Sequence, residues 1–154
     1  CTFDCIYCQL GSTTTKTMAR KEYARIDEAL SEVREALHNS ALFDYVTVSG
    51  SGEPTLYAHI DELIRGLKEQ STVPVAVLTN GSLLWDRSVR RAVAKADVVI
   101  PSLDASDEKM FRQVNRPPAE RCAQPVPMER LKNLCSLFEP RADVIMSASF
   151  PEGV

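Results

Sequence analysis

Apolar positions along the chain fall into alternating patterns. Ile26, Ala29, Leu30, Val33 and Leu37 recur at the spacing that puts one stripe on a helix. The β-branched run Tyr45-Val46-Thr47-Val48 predicts a strand and ends in Ser49-Gly50-Ser51-Gly52-Glu53-Pro54, a stretch of turn formers. Ile60, Leu63, Ile64 and Leu67 predict a second amphipathic helix. Asp61 and Glu62 stand near its start and Lys68 near its end, as the helix dipole favours. Val73 to Leu78 is nearly continuous apolar sequence, the pattern of a strand buried on both faces, and it stops at Thr79-Asn80-Gly81. Val89, Ala92, Val93 and Ala96 form the next helical stripe, with Asp86 placed to cap it. Val98-Val99-Ile100 predicts a third strand running into Ser102-Leu103-Asp104, and Met110, Phe111 and Val114 a short helix. Residues 115–127 hold four prolines and read as a long loop. Leu131, Leu134, Cys135 and Phe138 suggest a last helix, and Val144-Ile145-Met146 a fourth strand.

Strand–helix alternation of this kind predicts right-handed βαβ units and a parallel sheet, so the expected class is α/β. Four strands are too few for a closed barrel of about 250 residues, which leaves an open or partial barrel. In parallel α/β folds ligands sit at the carboxyl ends of the strands. The ends here are Ser49 to Glu53, Thr79 to Gly81 and Ser102 to Asp104, small and polar, and all three converge on one face.

The 154 residues suit a single domain, since domains run roughly 100–200 residues. Eighteen Lys and Arg against 21 Asp and Glu leave a net charge of −3. That balance gives no bulk electrostatic grip on nucleic acid, although a local basic patch stays open. With 44% apolar and 25% charged residues the composition is that of an ordinary globular protein and excludes wholesale disorder. No apolar run approaches the ~20 residues of a membrane span, and no signal-peptide pattern opens the chain. A soluble, cytoplasmic protein is expected.

Five cysteines are present, Cys1, Cys5, Cys8, Cys122 and Cys135, an odd number that argues against a complete disulfide framework. The first three fall in Cys1-Thr2-Phe3-Asp4-Cys5-Ile6-Tyr7-Cys8, and such density favours metal or redox chemistry. Structural zinc wants four ligands, usually as spaced pairs, and no second Cys-x-x-Cys accompanies this one; His38 and His59 lie in or beside predicted helices. Closely spaced thiolates also hold iron–sulfur clusters, normally four per cluster. Three on a tight loop could hold a cubane with one iron open to substrate or cofactor. A partial zinc site and three incidental thiols remain the alternatives. Cys122 and Cys135, thirteen apart, read as buried structural thiols.

Taken in order, Cys-x-x-x-Cys-x-x-Cys, Ser51-Gly52-Glu53-Pro54, Thr79-Asn80-Gly81 and Ser102-Leu103-Asp104 resemble the radical S-adenosylmethionine (SAM) superfamily. The wider stretches Cys8 to Gly11, Val48 to Leu56, Val77 to Leu84 and Val114-Asn115-Arg116-Pro117 resemble its branch of iron–sulfur oxidoreductases related to the tRNA wybutosine-synthesising enzymes. The likeness runs from Cys1 to about Pro118. It implies a partial (β/α)6 barrel of the TIM-like type. Cys1, Cys5 and Cys8 would ligate three irons of a [4Fe–4S] cluster, and the amine and carboxylate of SAM would chelate the fourth. One electron then cleaves SAM to methionine and a 5′-deoxyadenosyl radical, which abstracts hydrogen from substrate, a tRNA base among the candidates. The protein's share would be to position the cofactor and exclude water.

By the same resemblance, Tyr7 lies near the adenine and Ser51, Gly52 and Glu53 form the turn that contacts the methionyl amine, with Ser51 in place of the usual Gly. Ser102 meets the SAM ribose or carboxylate, and Thr79 and Asn80 line the SAM or substrate side. For Glu53 the alternative is a helix-start acid, for Tyr7 packing under the loop, and for Ser102 and Asn80 ordinary turn chemistry. Arg112 and Arg116 flank the same face and could hold an anion or form a solvated charged surface. Flavodoxin or ferredoxin is the electron donor that family analogy implies. Members of the superfamily carry a strand before the cysteine loop and further βα units beyond the fourth. Residues 1–154 are therefore expected to be an incomplete radical SAM core domain, truncated at both ends. From a different class, a non-catalytic zinc or iron–sulfur module is the alternative. Walker, Gly-x-Gly-x-x-Gly and His-Glu-x-x-His motifs are absent, so P-loop, dinucleotide and zinc-protease functions have no support.

Overall fold

A computed structural model describes residues 1–39, 43–118 and 143–144. After the cysteine loop come α1 (Ile26–Asn39), β1 (Val46–Val48), a 3-10 turn (Pro54–Leu56), α2 (Ile60–Gln70), β2 (Val75–Thr79), α3 (Arg87–Val93), β3 (Val98–Pro101), α4 (Glu108–Val114) and β4 (Asp143–Val144). The strands form a parallel sheet in the order β1-β2-β3-β4, the α/β architecture expected of a partial barrel. The helix foreseen over Leu131 to Phe138, the positions Ile145 and Met146, and Cys122 and Cys135 lie outside the described residues.

Side-chain alternation along β2 and β3 explains where the core sits. Val75, Val77 and Val99 point to one face, where Ile60, Ile64 and Leu67 of α2 and Val89 and Val93 of α3 cover them. All eight are buried. Gly66 of α2 lets α1 approach closely: a Cβ there would stand 2.6 Å from Leu30 Cδ1. The other face is less covered. There Ala76 is buried but Leu78 is 38% exposed, so the burial on both faces that the apolar run predicts holds for β2 up to Val77 and fails at Leu78.

Local signals decide the ends of the helices. Asp86 accepts the Ser88 N–H at 2.7 Å and caps α3. Asp107 accepts the Met110 N–H at 2.9 Å and caps α4. The turns after β1 and β2 use Gly50 at φ 76° and Gly81 at φ 74°, left-handed values that glycine reaches without a Cβ clash. Each turn follows the carboxyl end of its strand, so both stand at the same end of the sheet as the cysteine loop.

Candidate functional site

Two consecutive turns fold the cysteine loop, with Cys8 N–H donating to Cys5 O at 3.2 Å and Gly11 N–H to Cys8 O at 2.9 Å. Cys1, Cys5 and Cys8 are free, partly exposed thiols. Two anchors hold the loop, the first of them against the α4 end. Buried Phe3 meets Phe111 edge-on at 5.3 Å, while the N–H groups of Asp4 and Ile6 donate to the carbonyls of Asn115 (3.1 Å) and Val114 (2.9 Å). Asp4 also accepts the Thr13 N–H at 2.8 Å, closing the loop on its far side.

The other anchor is Thr2, which is fully buried. Its hydroxyl oxygen accepts Asn80 Nδ2 at 2.7 Å and Ser82 Oγ at 2.8 Å, tying the residue beside Cys1 to the turn after β2. Asn80 Nδ2 also lies 3.9 Å from Cys1 Sγ. Gly52 approaches from the turn after β1, where an added Cβ would stand 3.7 Å from the Cys1 nitrogen. Cys1 is thus held where the ends of β1 and β2 meet.

Glu53 joins those two strand ends. Its Oε1 accepts from Thr55 N (3.1 Å), Thr55 Oγ1 (2.6 Å) and Thr79 Oγ1 (2.5 Å), and Oε2 accepts from Asn80 N at 2.7 Å. Burial raises the Glu53 pKa above the ordinary carboxyl value, against the hydrogen bonds, which favour the charged form. Four donors on a buried carboxylate make it the brace of the turn, and Oε1 is saturated. Any ligand amine that Glu53 met would have only Oε2 to share. Thr79 is likewise buried and spends its hydroxyl on Glu53.

A second polar knot lies between Cys5 and the end of β3. The Tyr7 hydroxyl donates to Asp104 Oδ2. Asn115 Nδ2 lies 3.3 Å from that oxygen, 3.3 Å from Tyr7 Oη and 3.4 Å from Cys5 Sγ. Burial, then the bond to Asp104, raises the Tyr7 pKa far above the ordinary phenol range, so the hydroxyl stays protonated. Burial also raises the Cys5 thiol above 9.0, opposed by the hydrogen bonds from Asn115 and Tyr7. Ser102 enters through its backbone, its N–H donating to Thr79 O at 2.9 Å.

A cavity of about 540 Å³ opens beside this end of the sheet, lined by Cys1, Val48, Ser51, Gly52 and Glu53 and, from the helix side, Ile60. The structure therefore gathers Cys1, Ser51, Gly52 and Glu53 at one cavity. Thr79 and Asn80 are joined to it through Glu53 and Thr2, and Tyr7 belongs to the Cys5 knot. Sequence reasoning missed Thr2, Ser82, Asp104 and Asn115 as site residues. Asp104 and Asn115 did stand in stretches it noted, a strand end and Val-Asn-Arg-Pro, while Thr2 carried only its place between cysteines. Among the described residues, no group of three His, Cys, Asp or Glu is gathered closely enough for a single metal ion. A cubane makes a different demand, because each thiolate binds a different iron. Three free thiols on one loop, two of them beside asparagine amides, are a donor set that fits a cluster.

Residues 1–143 match the family model described as the radical SAM superfamily. A protein of Brachyspira hyodysenteriae named GTPase Obg is 43% identical over 120 residues, covering 78% of this chain and 18% of that protein. A UPF0026 protein of Methanocaldococcus jannaschii is 36% identical over 119 residues, covering 76% of this chain and 37% of that protein. The chain thus spans well under half the length of these relatives. Among solved structures, TYW1 with a lysine-pyruvate adduct bound superposes with a TM-score of 0.69 at 19% identity, covering 99% of this chain and 53% of that one. That likeness concerns the fold.

Proposed function

Because this chain belongs to the radical SAM superfamily, we propose that its cysteine loop carries a [4Fe–4S] cluster on Cys1, Cys5 and Cys8 and that the protein binds SAM beside it. The observation that carries this reading is the placement of Cys1 against Gly52 and Asn80, at the joined ends of two parallel strands. When bound, such a cluster supplies one electron to SAM, yielding methionine and a 5′-deoxyadenosyl radical that takes a hydrogen atom from substrate. The protein's own groups have separable tasks. Gly52 leaves room beside Cys1, Ser51 and Gly52 offer the turn to the methionyl end of SAM, and Glu53 braces that turn and shares Oε2. Asn80 and Ser102 line the nucleoside side. Tyr7 is fixed by Asp104 and leaves its half-exposed ring as the surface for adenine.

A tRNA base is the substrate class we carry forward, supported by the resemblance of Val48 to Leu56 and Val77 to Leu84 to the branch related to wybutosine-synthesising enzymes. Reduced flavodoxin or ferredoxin would donate the electron. Residues 1–154 would form part of one radical SAM core domain, in the cytoplasm, where thiols stay reduced. Among the described residues no helix is long and apolar enough to cross a membrane. The name GTPase does not transfer: the match covers 18% of that relative, and this chain has no Walker loop.

The test is anaerobic reconstitution, dithionite reduction and EPR with and without SAM, followed by assay for 5′-deoxyadenosine. A cluster signal changed by SAM, with 5′-deoxyadenosine formed, is the expected result. A cluster indifferent to SAM, or zinc in its place, would make this a non-catalytic metal module and overturn the reading.

A further inference from the structure

Asn115 closes α4 and is 2% exposed, yet among the described residues its side-chain oxygen has no hydrogen-bond partner. What the buried amide does offer its described neighbours is its N–H groups, which reach Cys5, Tyr7 and Asp104. The direction of the amide follows from its surroundings. Turning it over would set Oδ1 against the Asp104 carboxylate, acceptor against acceptor, so the nitrogen must face Asp104 and Cys5. The amide then stands between the carboxylate and the Cys5 sulfur. Its own backbone is pinned to the same loop, because Asn115 O accepts the Asp4 N–H at 3.1 Å. At the next residue, Arg116, φ is 46°, so the chain turns sharply away once that contact is made.

We propose that Asn115 is a positioning residue for the electron-accepting site: its side-chain amide donates to the Cys5 thiolate and separates it from the Asp104 carboxylate, raising the site's reduction potential. This rests on the reading that Cys1, Cys5 and Cys8 hold a cluster. Adding an electron makes ligand sulfurs more negative. A donor hydrogen bond to sulfur therefore favours the reduced form, and a bare carboxylate in its place opposes it. Asn80 is the less effective counterpart at Cys1, being 3.9 Å from sulfur and engaged with Thr2 at 2.7 Å.

The experiment is an EPR-monitored redox titration of the reconstituted wild type, Asn115→Ala and Asn115→Ser, with iron and sulfide content measured alongside. Serine keeps a polar group too short to reach Cys5. Both variants are expected to assemble the cluster and to lose at least tenfold in the one-electron reduction equilibrium, a fall of about 59 mV. Asp107→Ala removes the N-cap of α4 and weakens the helix without touching Cys5, so its potential should match wild type. Asn115 variants with lower melting temperatures but an unmoved potential would overturn the proposal and leave the cluster reading intact. A wild type that assembles no cluster overturns both. Pulsed EPR of protein labelled with [15N]asparagine leaves Asn115 itself unsubstituted: a nitrogen coupling that survives Asn80→Ser is expected, and its absence counts against Asn115.

Discussion

Glu53 Oε2 accepts the backbone N–H of Asn80 at 2.7 Å, so one carboxylate fastens the turn after β1 to the turn after β2. The bond crosses the pair of strand ends at which Cys1 is seated. Its consequence is that the Ser51-Gly52-Glu53 turn and the Thr79-Asn80-Gly81 turn are tied together beside the first cysteine.

Glu53→Gln tests that brace. A glutamine can still accept at the Oε1 position, but its amide nitrogen would face the Asn80 N–H, donor against donor. Glu53 titrates above its ordinary 4.5, chiefly because burial disfavours the charge. A raised acid pKa gives stability that is fully present below pH 4.5 and is lost as pH rises through the folded value. The variant should therefore be about 1–3 kcal/mol less stable than wild type at acidic pH. The gap should narrow as pH rises. Urea denaturation at a series of pH values checks this, and a gap that widens with pH would reject it.

Tyr7→Phe removes the hydroxyl that donates to Asp104, leaving the Asn115 amide as the remaining side-chain donor seen on that buried carboxylate. Half of the tyrosine is exposed, so solvent softens the loss to about 1 kcal/mol. The effect should be local. Cys5 loses a hydrogen bond that favours its thiolate, so it should be alkylated more slowly by iodoacetamide, read by peptide mass spectrometry, with the α2 and α3 helices unaffected in hydrogen exchange.

The fold was largely legible because its signals are local. The Asp86 cap, the stripe of Ile60, Ile64 and Leu67, and the small polar residues after each strand all act within a few positions of themselves. The exposure of Leu78 was not, because a continuous apolar run does not say which faces neighbouring elements cover. The site was half legible on the same principle. Cysteine spacing and strand ends are sequence facts, whereas the partners of Glu53 and Thr2 depend on which turns meet. Asn115 and Cys5 are 110 residues apart, and no periodicity links them. Nor did Glu53 look like a brace, since its donors are two threonine hydroxyls and two backbone N–H groups, which turns supply everywhere.

Asp97 carries the next prediction, at the opposite end of β2. Its Oδ2 accepts the Val75 N–H at 2.8 Å and its Oδ1 meets Lys68 Nζ at 2.6 Å, tying α2, β2 and the start of β3. Partial burial would raise its pKa, but Lys68 and the Val75 N–H outweigh this and hold it below the ordinary 3.8. A depressed carboxyl pKa contributes stability above pH 3.8 that is lost as pH falls through the folded value. The pair is more than a third exposed, so screening discounts the ion pair and leaves mainly the backbone hydrogen bond. Asp97→Ala should cost about 1 kcal/mol at pH 7 and flatten the acid limb of the stability profile.

Thr2→Val separates the seating of Cys1 from the chemistry of its sulfur. Valine matches the shape of threonine, but its methyl group cannot accept from Asn80 Nδ2 or Ser82 Oγ, and both donors lose their acceptor at a fully buried position. The expected cost is about 1–3 kcal/mol. Thr2→Ser keeps the oxygen and should recover most of it. Because Asn80 Nδ2 stands 3.9 Å from Cys1 Sγ, releasing its amide should free the first cysteine to move relative to Gly52. After anaerobic reconstitution the valine variant should hold less iron per chain than the serine variant. Equal iron in the two, with the stability difference intact, would mean that Thr2 supports the fold and has no part in placing the cysteine.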